Sequence, residues 1–225
     1  MLKQIEALPI RERVASELRN AIFSGKFGPG YELRQDFLAK EFGVSRMPVR
    51  EALYILSGEG LVEIRANKGA IVKDISKEYI REHFELRLIL ESEAVARACE
   101  YVEDVSDLEY IHAQQKEAID ALDMKRTGIC NQAFHMFIWK NANNAKMESM
   151  LVNLWNGLSI GTVVLPVVHA KQSFEEHTLM IKAIKEKQPE LARKVMKKHI
   201  MRSMENMLMR VPNEQENENE VFVEE

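Results

Sequence analysis

Cysteine is scarce in this chain of 225 residues, which has only Cys99 and Cys130 and no CxxC pair. Neither a disulfide framework nor a thiolate zinc site is indicated, and two free thiols fit a reducing compartment. No run of about eighteen or more apolar residues is present, which argues against a membrane-spanning helix. The first residues also lack the apolar segment of a secretory signal, so we expect a cytoplasmic protein with no membrane partner.

An excess of positive charge is also missing, because the formal net charge is -4. Residues 1–75 hold 12 Lys and Arg against 10 Asp and Glu, whereas residues 211–225 hold six Glu and no basic residue. We expect this acidic tail to be disordered. Since the tail accounts for the negative balance, the overall charge argues neither for nor against a nucleic-acid partner.

Strand patterns are rare, and apolar residues recur three and four apart along most of the chain. We predict strand only in residues 61–73, where two short apolar segments flank a turn and form a β-hairpin. After Asp74 the pattern predicts an all-α bundle of about six helices. Their boundary signals are a cap at Ser76, capping boxes at Ser106 and Ser173, helices over 126–141 and 144–165, and a proline in the first turn at Pro189.

Residues 37–53 have the pattern of a helix-turn-helix. Gly43 permits the turn between two short helices, and Ser45 can cap the second one. At its start this helix presents side chains that suit contact with base edges and phosphates. They are Ser45, Arg46, Met47 and Arg50.

Two arginines alone would be an ordinary solvated surface, but the hairpin follows at once as a wing with Lys68 and Gly69 at its tip. The fold class that we predict is therefore mostly α. A winged helix-turn-helix of three helices and a two-stranded wing occupies residues 1–75, and an all-α domain occupies residues 76–210.

The segment Gly43–Leu53 resembles the recognition-helix signature of the GntR family of transcription regulators. Residues 22–33 and 56–72 resemble the end of that family's first helix and its wing. The resemblance implies that DNA contacts fall on Ser45, Arg46, Met47, Arg50 and Gly69. One position departs from the family pattern, because many members carry arginine where this chain has Asp36. Arg34, two residues earlier, is the substitute that we expect at the phosphate.

Three of the six histidines lie on apolar faces of separate predicted helices, namely His135, His177 and His199. Two interpretations remain open from the spacing. Each histidine is either a hydrogen-bonded core residue or one of three ligands of a single divalent ion. In the second case Asn131, one turn before His135, supplies an amide oxygen.

Residues 79–208 are similar to the FCD effector domain of the FadR-like branch of GntR regulators, on the segments Asn131–His135, Glu176–His177 and Lys198–Ile200. The resemblance implies that the three histidines and residue 131 bind a metal such as zinc, nickel or manganese. Most FCD domains have aspartate where this chain has Asn131. An amide brings no negative charge, so we expect the ion to be held less tightly.

Arg87 lies on the apolar side of the first helix of this domain, and a cation there needs an anionic partner. Glu91, one turn later, supplies one in an intrahelical pair. The alternative is a carboxylate ligand, since Arg87 matches an element of FCD domains, whose effectors are commonly small organic acids.

The leading hypothesis is a homodimeric repressor that binds a palindromic operator and responds to a small organic acid in the helical domain. A metal-dependent enzyme that uses the three histidines is the alternative from another class. A third hypothesis retains DNA binding and leaves the helical domain with dimerisation alone.

Overall fold

The computed structural model describes residues 9–66, 68–158 and 167–209. Over these residues the chain divides into two compact units. The first comprises the residues up to Ile75 together with the last turns of a later helix, from Val152 onward, and the second comprises the remainder from Ser76. None of the described helices is long and apolar enough to cross a membrane.

The first unit is a winged helix-turn-helix. Its elements are α1 (Ile10–Phe23), β1 (Glu32–Arg34), α2 (Gln35–Phe42), α3 (Arg46–Gly58), β2 (Val62–Arg65) and β3 (Gly69–Val72). The strand β3 lies between β1 and β2 and is antiparallel to both. The hairpin is therefore confirmed, but the restriction of strand to residues 61–73 was wrong, because β1 adds a third strand to the wing.

The turn between α2 and α3 depends on Gly43, which has φ 62° in the left-handed region. The Gly43 amide donates to the Lys40 carbonyl at 3.2 Å, and the Val44 amide donates to the Ala39 carbonyl at 3.0 Å. This pair of bonds is a Schellman motif, which ends a helix sharply. The inward face of α3, formed by Val49, Ala52, Leu53 and Leu56, is fully buried as predicted. The turn therefore fixes α3 against the unit's core and leaves its other face in solvent.

The second unit is all-α. Its helices are α4 (Lys77–Tyr101), α5 (Ser106–Asp120), α6 (Met124–Lys140), the first part of α7 (Ala145–Leu158), α8 (Val167–Lys185) and α9 (Pro189–Leu208). The part of α7 from Val152 onward groups with the first unit. The helix α4 packs mainly along α9, α5 packs against α6, and α8 contacts α4, α5 and α9. Over the described residues the predicted number of six helices is confirmed.

Two of the predicted helix starts were wrong. Ser76 does cap α4, since its hydroxyl accepts from the Tyr79 amide at 3.1 Å. Ser106, in contrast, is the first residue of α5, and its hydroxyl donates to Asp104 at 2.8 Å. Ser173 lies inside α8, where its buried hydroxyl accepts a hydrogen bond from Arg202. The predicted end of α7 at Leu165 and the acidic tail at 211–225 lie outside the described residues.

Candidate functional site

The start of α3 presents four side chains to solvent, and we call Ser45, Arg46, Met47 and Arg50 the recognition surface. Ser45 occupies the N-cap position in extended backbone, and its hydroxyl makes no capping bond. Arg50 lies one turn after Arg46, and its Nη2 contacts the Met47 sulfur at 2.9 Å. The surface therefore offers two cations, one hydroxyl and one apolar group at a helix N-terminus, a set suited to bases and phosphates.

Asp36 of α2 forms an ion pair with Arg46. Both side chains are more than half exposed, so the pair is weak and a phosphate can replace the carboxylate. Arg34 and Lys68 are also exposed, whereas Gly69 is buried and pairs with Arg34 across β1 and β3. Of the predicted DNA-binding residues, Gly69 alone thus offers little surface to a partner.

The second unit brings together the three histidines predicted as metal ligands. His135 of α6, His177 of α8 and His199 of α9 are buried, and one ring nitrogen of each lies within 4.8 Å of the other two. We call this group the histidine cage. The Nε2 atoms of His135 and His199 are 3.2 Å apart. The His177 Nε2 is buried and has no hydrogen-bond partner within the described part of the chain.

Every outer nitrogen of the histidine cage faces an oxygen. The Nδ1 of His135 lies 2.6 Å from Glu91, and the Nδ1 of His199 lies 2.8 Å from Glu176. The Nδ1 of His177 lies 2.9 Å from the amide oxygen of Gln115 on α5. An oxygen at Nδ1 favours a proton there, and a ring protonated at Nδ1 carries its lone pair on Nε2, the nitrogen that can bind a metal ion.

The two carboxylates beside the histidine cage each have an arginine. Arg87 bonds Glu91 through Nε at 2.8 Å and Nη2 at 2.7 Å, and Arg202 bonds Glu176 at 2.5 to 3.2 Å. Burial opposes ionisation of Glu91, but the charges of Arg87 and His135 outweigh it and lower its pKa to about 2. Burial likewise opposes ionisation of Glu176, yet hydrogen bonds from His199 and Arg202 lower its pKa to about 2. Both carboxylates are therefore anions at neutral pH.

Burial also acts on the rings of the histidine cage. It lowers the pKa of His199 to about 4, and it lowers the pKa of His177 well below its ordinary value with further repulsion from His199 and His135. Neutral imidazole is the form that binds a metal ion. His177 and His199 are thus held in their ligand form.

The donor set of the histidine cage fits a divalent metal ion. Two nitrogen ligands of one tetrahedral ion are expected roughly 3.3 Å apart, given bonds of about 2.0–2.1 Å. The 3.2 Å between His135 and His199 matches this separation. The His177 Nε2, which has no hydrogen-bond partner among the described residues, would be a third ligand atom for the same ion. Asn131 lies one turn before His135 on α6 and is half-buried, and its part in the site stays a prediction.

Arg87 makes the intrahelical pair with Glu91 that the sequence offered as one of two interpretations. The sequence did not identify Glu91, Glu176, Gln115 and Arg202 as neighbours of the histidines. A signal did exist for two of them. Glu91 lies eleven residues after Ile80 on the apolar face of α4, and Gln115 lies seven residues after Leu108 on the apolar face of α5. Polar groups at such positions need buried partners.

Two family models match the chain. The model described as bacterial regulatory proteins of the gntR family matches residues 10–72, and the FCD domain model matches residues 82–202. The first match covers the wing and recognition surface, and the second covers the histidine cage.

Similar proteins of known name cover most of the chain. The gluconate operon transcriptional repressor of Bacillus licheniformis is 34% identical over 80% of this chain and 77% of its own length. The repressor of the same name from Bacillus subtilis (strain 168) is 32% identical over 78% and 75%. Among solved structures, E. coli McbR/YncC has a TM-score of 0.73 at 23% identity and covers 91% of this chain and 99% of that one. This last likeness supports the fold.

Proposed function

Since the chain belongs to the GntR family of bacterial regulatory proteins and carries an FCD domain, we propose that it is a homodimeric repressor whose operator binding responds to a small carboxylate and a divalent metal. Its matched relatives are transcription regulators and not enzymes, which contradicts the hypothesis of a metal-dependent enzyme. A regulator of bacterial DNA acts in the cytoplasm.

The recognition surface is the observation that carries the DNA-binding part of the proposal. Its two arginines lie one turn apart at the exposed start of α3, the position from which a recognition helix contacts the major groove. Arg34 and Lys68 add exposed cations for phosphates from β1 and the wing. A palindromic operator requires two such surfaces, hence a dimer. Leu86 and Ile89, each more than half exposed on α4, are apolar groups that self-association would cover.

Operator binding by Arg46→Ala and Arg50→Ala variants tests this part. The probe is a fluorescent duplex selected from a random library by the wild-type protein, and anisotropy is recorded over a range of salt concentrations. If an arginine reads a base, its loss costs about 1–3 kcal/mol on the selected duplex and relaxes sequence preference. If it contacts a phosphate, the slope of log affinity against log salt falls by about one.

Lys116→Ala is the matched control, because it also removes one exposed positive charge but lies on α5 of the second unit. We expect this variant to bind like the wild type. Unchanged affinity and unchanged salt dependence in both arginine variants would remove the recognition surface from DNA binding.

The histidine cage supports the sensor part of the proposal. His135, His177 and His199 would hold the ion, and an ion bound there supplies an electron-pair acceptor for a carboxylate oxygen. Arg87 is the cation that we assign to an acid effector, which would then share its guanidinium with Glu91. An effector that favours one pose of the two DNA-binding units over another shifts the population of the binding-competent state.

Elemental analysis of protein purified without added metal tests the sensor part, with His135→Ala compared to the wild type. We expect the divalent metal content to fall in the variant. Equal and negligible metal in both proteins would favour the remaining hypothesis, in which the helical domain only dimerises.

A further inference from the structure

We propose that Glu91, Glu176 and Gln115 are positioning residues of the histidine cage, each fixing one ring with Nδ1 protonated and Nε2 as the atom that binds the ion. The inference rests on the metal part of the proposed function and deepens it. None of the three is a ligand in this assignment, because each contacts the far nitrogen of its histidine. Their effect on the ion acts through the ring.

His135 and His199 are held by anions. The carboxylates of Glu91 and Glu176 lie 2.6 and 2.8 Å from the respective Nδ1 atoms, within the range of charge-assisted hydrogen bonds. An anionic acceptor at Nδ1 makes the Nε2 of the imidazole a stronger electron-pair donor to a metal ion. Two of the three ligands are therefore strengthened by charge outside the ligand shell.

The two carboxylates are themselves fixed by arginines. Arg87 donates hydrogen bonds to Glu91 from two nitrogens. Arg202 donates to Glu176 and also to the Ser173 hydroxyl, at 2.9 Å. Each line of contacts, arginine to glutamate to histidine, joins two helices: α4 to α6 for His135, and α9 to α8 and back for His199. The arginines balance the carboxylates, so burial of these anions does not leave an uncompensated charge.

His177 is held differently, by a neutral group and a ring. Its Nδ1 faces the Gln115 amide oxygen at 2.9 Å, and the Phe134 ring stacks on it with centroids 3.8 Å apart and planes 7° apart. Two independent contacts thus set the rotation of this ring. Since Gln115 carries no charge, we expect its loss to reduce the affinity for the ion less than the loss of either glutamate does.

The test is a zinc titration at pH 7 of chelator-stripped protein, in competition with a chromophoric chelator. Glu91→Ala, Glu176→Ala and Gln115→Ala are expected to bind zinc about 10–100-fold more weakly than the wild type, since outer hydrogen-bond partners typically have effects of this size. Glu91→Gln keeps an oxygen at Nδ1 and is expected to recover part of the loss seen in Glu91→Ala.

Matched controls remove neighbouring side chains that point elsewhere. Glu93 is two residues from Glu91, and Glu93→Ala breaks its ion pair with Arg193. Glu175→Ala removes an exposed carboxylate next to Glu176. Gln114→Ala removes a hydrogen-bond partner of Arg126 next to Gln115. All three are expected to bind zinc within about twofold of the wild type. Each variant also receives a thermal unfolding scan without metal.

A fold defect is separated from lost positioning in two ways. Gln115→Ala removes no charge, so it keeps the test open if a glutamate variant does not fold. The double variant Arg87→Met with Glu91→Gln retains an oxygen for His135 and leaves no arginine unpaired. The visible absorption of bound cobalt is recorded for every variant, because a displaced or flipped histidine changes the spectrum, whereas a loss of global stability alone does not.

The outcomes distinguish the inference from the function on which it rests. If the wild-type protein binds no zinc or cobalt, the metal part of the proposed function fails and the inference fails with it. If the wild type binds and the three alanine variants match their controls in affinity and cobalt spectrum, the inference alone is overturned.

Discussion

Arg19 and Glu59 form a buried ion pair between α1 and the residue that caps the end of α3. Their side chains are 3% and 8% exposed, and Arg19 donates from Nε at 2.9 Å and from Nη2 at 2.6 Å. Burial raises the pKa of Glu59 even though Arg19 lowers it, so the cost of desolvation is not fully recovered. A pair of this kind contributes little net stability but is costly to break.

Arg19→Met is therefore expected to reduce the free energy of unfolding of the first unit by about 3–5 kcal/mol, because it leaves the Glu59 carboxylate buried without its arginine. The double variant Arg19→Met with Glu59→Leu should recover most of that loss. Urea unfolding measures both. Lys116→Met, at a pair that is 61% exposed on both sides, serves as control and should change stability by less than about 0.5 kcal/mol. If Arg19→Met unfolds with the same free energy as Lys116→Met, the expectation is wrong.

At the scale of elements, the wing depends on one close approach of backbone to backbone. Gly69 begins β3 with φ 128°, and a Cβ added there would lie 2.1 Å from the Leu33 carbonyl oxygen of β1. Neither backbone segment can yield without breaking the pairing of Arg34 with Gly69. Glycine is thus required by space as well as by conformation.

Gly69→Ala is expected to separate β1 from β3 and to destabilise the first unit by at least about 2 kcal/mol, with weaker operator binding as a consequence. Thermal unfolding and amide exchange of the strand residues measure the effect. Gly28→Ala is the control, because nothing lies within 4 Å of its added Cβ and its φ is ordinary. If the amides of β1 exchange as slowly in Gly69→Ala as in the wild type, the close-approach argument is wrong.

The sequence predicted elements well where local pattern and packing agree. The inward face of α3 repeats every three or four residues, and the glycine turn before it is a local signal. The strand β1 was missed because three residues carry almost no alternation and pair with residues far along the chain. The capping boxes at Ser106 and Ser173 failed because other groups take the hydroxyls that the pattern assigned to helix starts. The Ser106 hydroxyl donates to Asp104, two residues earlier, and the Ser173 hydroxyl accepts from Arg202 of α9.

In the histidine cage, too, local pattern predicted some features and tertiary contacts determine the others. Helical spacing identified His135, His177 and His199 as inward-facing, since each lies on an apolar stripe of its own helix. Which nitrogen faces inward depends on Gln115 and Glu91, which come from other helices, and no local pattern encodes such a contact. The three histidines were therefore predictable as a group of inward-facing side chains, whereas the orientation of each ring required the packed bundle.

At the scale of the whole molecule, the buried histidines make stability depend on pH. In the unfolded chain a histidine binds a proton near pH 6.5, but in the folded chain the pKa of His199 is about 4 and that of His177 is lowered further below its ordinary value. Below pH 6.5 the unfolded state therefore binds more protons, and folding becomes less favourable as the pH falls. Glu91 and Glu176, with pKa values of about 2, stay ionised throughout this range.

Chelator-stripped protein is accordingly expected to lose roughly 2 kcal/mol of unfolding free energy from His199 alone between pH 6.5 and pH 5. Urea unfolding at pH 7, 6 and 5 measures this. A His199→Gln variant should show a shallower dependence over the same range. Stability that is constant or rises as the pH falls would contradict the buried, neutral state of the rings.

The three histidines of the cage lie far apart in the sequence, and this bears on how firmly their helices are held together. His135 and His199 are in contact although they are 64 positions apart in the sequence, and His177 lies on a third helix. An ion bound by all three histidines would close long loops of the chain, and constraints on long loops remove the most conformational freedom from an unfolded chain. An ion in the histidine cage would therefore act as a removable cross-link between α6, α8 and α9, and its loss would let these helices separate more readily.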